Sequence, residues 1–213
     1  MKKILSCLLC ICLLCLLCPS VSAAEDVISI SSREDMLLLS AHPDGSFILT
    51  DDIDMRGDWL PIPFSGKLDG NGHTLYNLTV KTVGTDAATT FDGNRIEYET
   101  VFGGLFSIVS GAEICDLKLV NAVLDIETDR HCFVGTIAGY AQDSVFSGCS
   151  VQARCHLTVS SVNAGIGGLI GFSLINQITD CETDTELVFT DVNPETLCEE
   201  FLGGVYADRK SVV

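Results

Sequence analysis

The sequence predicts an all-β chain wound as a right-handed parallel β-helix, with coils of about 32 residues and a short N-terminal helical cap. Three observations lead there. First, three segments align without gaps: GGLFSIVSGAEICDLKL from Gly103, GTIAGYAQDSVFSGCSV from Gly135 and GGLIGFSLINQITDCET from Gly167. Their anchors Leu105, Ile137 and Leu169 are 32 residues apart, and so are Ile114, Phe146 and Ile178. Second, apolar and β-branched residues alternate over short stretches with Gly, Asn, Asp and Ser between them, the pattern of strands joined by turns. Third, no unit holds the two long periodic helices that a helical solenoid requires.

The elements follow in chain order. Residues 1–24 open with Lys2 and Lys3, run apolar from Ile4 to Cys18, break at Pro19 and end in Ser-Val-Ser-Ala-Ala, the build of a secretory signal peptide. The apolar run is short for a bilayer span, and Leu17 stands where a lipidated Cys18 would need a small residue before it. A signal anchor and a lipoprotein are therefore the lesser alternatives. Of the 11 cysteines, Cys7, Cys10, Cys12, Cys15 and Cys18 leave with this leader, and Cys115, Cys132, Cys149, Cys155, Cys181 and Cys198 stay. Residues 25–66 form the cap: Ser32 and Asp35 suggest a capping box, SREDMLLLSA a short amphipathic helix, and Phe47–Thr50 a strand. Residues 67–207 are the repeats, with a polar loop inserted at 82–98 and a last copy, FLGGVYA at 201–207, that stops early.

In the ladder model, Leu78, Leu117, Cys149 and Cys181 face inward in one row, and Leu75, Ile114, Phe146 and Ile178 in another. Cys149 and Cys181 thus meet at one position in consecutive coils. They read as small buried hydrophobes, with a disulfide as the alternative that neighbouring strands allow. The last six residues, Asp208 to Val213, are what read-through into a common sequencing adapter encodes, so 208–213 is expected to be non-native.

The stretch FSGKLDGNGHTLYNLTV at 64–80, followed by GLF, AEICDLKLVN and Gly168-Leu169-Ile170-Gly171, resembles the GLUG-repeat family over roughly residues 47–207. Gly168 to Gly171 matches the family's G-L-x-G core; Gly104 to Ser107 ends in serine, and Thr136 to Gly139 lacks the first glycine and the leucine. The resemblance implies a β-helical module of bacterial secreted or surface proteins, including regions that precede IgA-specific metallopeptidase domains. It assigns the repeats no activity of their own.

Charge narrows the function classes. The chain has 12 Lys+Arg against 29 Asp+Glu, a net of −17, and loses two more positive charges with the leader. Nucleic acid and anionic membrane surfaces both need clustered lysine and arginine, which are absent. With 47% hydrophobic residues, the acidity reads as the solvated outside of a folded chain and not as a disordered tail. His42, His73, His131 and His156 are scattered, and none starts a His-Glu-x-x-His zinc motif. His73 is expected to stabilise its turn. Asp51, Asp52, Asp54, Asp58 and Asp69 are the candidate carboxylates for sugar cleavage, and Asp51, Asp52 and Asp54 the calcium candidates, yet solvated turn aspartates explain all five. Trp59 and Pro61 are expected to pack over the first coil, with sugar stacking by Trp59 as the alternative. No catalytic residue and no cofactor are expected. The function read from the sequence is a non-catalytic, adhesin-like binding or spacer segment of a larger protein, whose partner is a host or cell-surface protein or glycan. Its rival is an enzyme: a carbohydrate-active β-helix or the leading part of a surface metallopeptidase.

Overall fold

A computed structural model describes residues 26–81, 85–86, 90–91, 94–95, 100–160, 163–191 and 199–203. The expected leader and tail, Cys198, and most of the 82–98 insertion lie outside them. The described chain is mostly β, with predominantly parallel sheets. No helix among the described residues is long and apolar enough to cross a membrane.

Four sheets, named here in the order the chain meets them from residue 100, organise the molecule. Sheet A stacks Thr100–Gly103, His131–Gly135, Asn163–Gly167 and Glu199–Gly203 in parallel, and Thr85–Asp86 adds antiparallel to its first strand. Sheet B stacks Ile62–Phe64, Phe106–Ser110, Ala138–Gln142 and Ile170–Leu174. Sheet C runs Val27–Ile30, Ser46–Leu49, Lys67–Asp69, Glu113–Cys115, Val145–Ser147 and Gln177–Thr179. Sheet D runs Ile53–Asp54, Thr74–Tyr76, Lys118–Thr128, Ser150–Val159 and Glu182–Asp191.

Three successive segments therefore visit A, B, C and D in the same order. The register matches the sequence period, with Phe106, Ala138 and Ile170 aligned in sheet B and Ile114, Phe146 and Ile178 aligned in sheet C. Between Leu119 and Ala122 the long sheet D strand carries one extra residue, with Asn121 at φ +57°, so that Ala122 aligns with Ala153. Such a bulge bends a strand without ending its pairing.

Alternation decides what is inside. Leu105, Ile137, Leu169, Ile114, Phe146, Leu117 and Cys149 are all fully buried. Each large apolar side chain so placed contributes about 1.5–3 kcal/mol of transfer free energy. In the Glu182–Asp191 strand the inward positions Thr183, Thr185, Leu187 and Phe189 are half-buried and alternate with exposed neighbours.

Two expected alignments are corrected by the register. Leu75 pairs with Ile53 and Leu119, and Leu68 takes the place expected for Leu75 beside Ile114. Leu78 is buried but sits past Thr74–Tyr76, where its carbonyl accepts the Val123 N–H at 2.8 Å. The row it was expected to begin contains Leu117, Cys149 and Cys181 without it. The cause is the turn Gly70–His73, four residues where later segments use two, Asp116 and Leu117 for example. Gly70 lies against that next turn, where an added Cβ would fall 2.5 Å from Leu117 Cα.

Where the sequence predicts a helical cap, a 3₁₀ turn, Asp35–Leu37, continues into α1, Leu38–Ala41, with Met36 and Leu39 buried. Ser32 Oγ accepts the Asp35 N–H at 3.1 Å, while the Asp35 carboxylate accepts the N–H and hydroxyl of Ser31, both at 3.0 Å. The reciprocal bond of the expected box thus goes to Ser31. The last copy begins as a strand of sheet A, but Leu202 aligns with Ile166 at an offset of 36 residues.

Candidate functional site

Strands of sheets A and B approach closely at a strip of glycine. A Cβ on Gly171 would fall 2.5 Å from Val134 N and 2.6 Å from Gly139 O; one on Gly139 would fall 2.8 Å from both Phe102 Cβ and Phe133 O. Only glycine admits backbones this close. Beside the strip lies a second apolar cluster, Phe102, Phe133, Tyr140 and Phe172, separate from the main core. Tyr140 and Phe172 are stacked with ring centroids 6.0 Å apart, and the Tyr140 hydroxyl donates to Gln142 Oε1 at 2.8 Å. Gly171 and Leu169 thus act structurally: Leu169 is fully buried, and its carbonyl accepts the Ile137 N–H at 2.9 Å. The Gly168 carbonyl accepts the Thr136 N–H at 3.4 Å.

The sequence-predicted carboxylates are spread out as backbone caps. Asp52 accepts the Thr74 N–H at 2.9 Å and lies 3.4 Å from His73 Nδ1. Asp54 accepts from Asn77 Nδ2 at 2.9 Å and from Arg56 Nε at 2.6 Å. Asp58 accepts the Lys81 N–H at 2.9 Å, and Asp51 is exposed. His73 donates its backbone N–H to Gly70 O at 2.8 Å, inside the turn. Trp59 is buried, and its indole N–H donates to Leu105 O at 2.8 Å, so its ring is not a free stacking platform.

Among the described residues, the His, Cys, Asp and Glu ligand atoms that converge belong to Asp69, Cys115 and Asp116, all within 4.8 Å of one another. Asp51, Asp52 and Asp54 do not form such a group. Asp69 and Cys115 are register partners on adjacent strands of sheet C, and Asp116 follows at φ +50°, which swings its carboxylate beside them. An open groove of about 350 Å³ is lined by Asp69 and Cys115 of this cluster together with Ser46, Ile48, Lys67 and Glu113. Asp69 Oδ1 also accepts the Asn71 N–H at 2.7 Å. Burial, then the charges of Asp69, Asp116 and Glu113, push the Cys115 thiol up to about 11. At neutral pH it is a protonated thiol and no nucleophile. The groove presents carboxylate acceptors from Asp69 and Glu113 and a neutral thiol, a set suited to hydrogen-bonding hydroxyls or amides.

This cluster was missed in the sequence because Asp69 and Cys115 lie on either side of the insertion. The available signal was the match of Leu68-Asp69-Gly70 to Ile114-Cys115-Asp116, with the apolar residue inward and the next outward. Known proteins add no identity to this geometry: no family model, no curated protein and no solved structure matches the chain.

Proposed function

We propose that sheets A to D are the faces of a right-handed parallel β-helix, and that this helix is an exported, non-catalytic surface module of a larger bacterial protein. The observation that carries this reading is the 32-residue offset held through sheets B and C and into sheet D. Segments repeated at one offset, with parallel pairing, are the arrangement a solenoid requires, and parallel crossovers are right-handed in nearly all proteins. The glycine contacts at Gly139 and Gly171 give a physical reason for the G-L-x-G pattern and so support a GLUG-like repeat. Export rests on the leader at 1–24.

The reading as a binding module rests on how the polar groups are used. Asp52, Asp54 and Asp58 are engaged in capping turns, and the thiol of the converging cluster is held neutral. Outward sheet faces of this kind suit a polar macromolecular partner, a host or cell-surface protein or glycan. The test is to immobilise the purified chain and present glycan and surface-protein panels. Retention of a ligand that elutes unaltered supports the proposal. Release of shortened sugar chains or cleaved protein overturns it in favour of the enzyme, and absence of any retention reduces the module to a spacer. The β-helix itself is tested by an experimental structure of the chain, in which sheets A to D must close into successive right-handed turns.

A further inference from the structure

We propose that Cys149 and Cys181 are a redox pair that closes to a disulfide, joining two successive segments where the chain passes from sheet C to sheet D. This goes beyond the surface-module reading and stands or falls without it. Both residues occupy the second position of a two-residue connection, after Gly148 at φ +63° and Asp180 at φ +53°. The strands that follow them pair directly, Ser150 with Glu182 and Val151 with Thr183. The Glu182 N–H donates to Cys149 O at 2.9 Å, which holds the two connections side by side. Their side chains also share a direction: each Sγ lies over the carbonyl two residues earlier, Ser147 O at 3.5 Å and Thr179 O at 3.4 Å. Two parallel connections one strand apart place Cα atoms within the disulfide range.

The two thiols differ in a way that assigns their roles. Cys149 is fully buried, whereas Cys181 is partly exposed. The neighbouring Cys181 sulfur, then burial, holds the Cys149 thiol well above the usual range, while the neighbouring Cys149 draws Cys181 below its own. Cys181 is the accessible thiolate, the species that reacts. With a small-molecule disulfide as oxidant, the Cys181 thiolate attacks one donor sulfur, forms a mixed disulfide and expels a donor thiolate. The Cys149 thiol then loses its proton and attacks Cys181 Sγ, forming the internal bond and expelling the second donor thiolate. Two protons and two electrons leave the pair, and the donor becomes two thiols. Cys115 is the competitor to exclude: it lies in sheet C beside Ser147, not in the connection that Cys149 and Cys181 share.

The test treats the purified full chain with oxidised glutathione, blocks remaining thiols by alkylation and maps peptides with fragmentation that separates Cys149 from Cys132 and Cys181 from Cys155. The expected result is a Cys149–Cys181 cross-link. Its rate of formation rises with pH as the thiols deprotonate. In Cys149→Ala the reaction should stop at a glutathione adduct on Cys181, while Cys181→Ala should take up no glutathione at position 149. Finding both thiols alkylated in the oxidised wild-type chain overturns the proposal, as does a cross-link from Cys149 to Cys115.

Discussion

The crease between sheets A and B and the corners between sheets B, C and D turn the same chain by opposite means. At the crease, atoms are removed: Gly139 and Gly171 bring backbones to distances at which a Cβ has no room. At the corners, a rotation suffices. Gly111, Asp143 and Ile175 take positive φ at equivalent places between B and C, and Asp116, Gly148 and Asp180 do so between C and D. Three residue types share one corner conformation, so the repeat imposes the geometry and the residue adapts to it. Two of the three crease positions are glycine, while the corners between B and C hold Gly, Asp and Ile.

The sharpest way to break this contrast is Gly171→Ala. Its Cβ meets backbone atoms of Val134 and Gly139, which cannot rotate away. A loss of about 3 kcal/mol is expected, the upper end for overpacking, read from the urea midpoint. A loss below about 1 kcal/mol would show that the crease has slack. The corners predict the reverse sign. Ile175 is 76% exposed at φ +54°, a β-branched residue in left-handed backbone, where the conformation alone costs about 1–2 kcal/mol. Ile175→Gly should raise stability by about 1 kcal/mol after glycine's own entropy cost, and Ile175→Val should leave it unchanged. Equal effects of the two variants would show that Ile175 is held by contacts and not merely tolerated.

The same distinction explains what the sequence made legible. Where segments align at one offset, each apolar position transfers to the next segment, so the burial of Leu105, Ile137 and Leu169 and of Ile114 and Phe146 follows from spacing alone. Leu75 and Leu78 failed because their spacing of three and five residues copies a later pattern in the wrong phase. The longer Gly70–His73 turn moves Leu75 to the partner of Leu119. Site residues were harder still. Nothing in the local sequence says that the Trp59 indole reaches Leu105 O, or that Asp69 and Asp116 converge, because each depends on the alignment across the insertion.

Ser107 is the crease position where the first segment departs from glycine. It is buried, and its Oγ has no hydrogen-bond partner among the described residues. Ser107→Ala keeps the Cβ and removes the unsatisfied hydroxyl, so a gain of about 0.5–1 kcal/mol is expected in thermal or urea unfolding. A loss would mean that the hydroxyl finds a partner in solution, and the crease would then tolerate polarity as well as an added carbon.

The smallest effect belongs to a corner of the second kind, held by side chains. Asn77 and Asn121 both have φ +57°, and they form a ladder in which Asn121 Nδ2 donates to Asn77 Oδ1 at 2.6 Å and Asn77 Nδ2 donates to Asp54 at 2.9 Å. The bond from Asn77, followed by that from Arg56, holds the Asp54 carboxyl below its ordinary value of 3.8, and the bonds from Ser31 and Ser32 do the same for Asp35. A carboxyl whose folded pKa lies below its unfolded one stabilises the fold fully above the unfolded value. That contribution disappears as pH falls through the folded value. The melting temperature should therefore fall below about pH 4, and Asp54→Asn, which cannot titrate, should flatten this acid limb without moving the neutral plateau far. Both carboxylates are solvent-exposed, so screening keeps the effect small and added salt should shrink the Arg56 share. Superposed acid limbs for the wild type and Asp54→Asn would show that the left-handed pair needs no support from Asp54, and the asparagine corners would then be as permissive as the corners at Asp143 and Asp180.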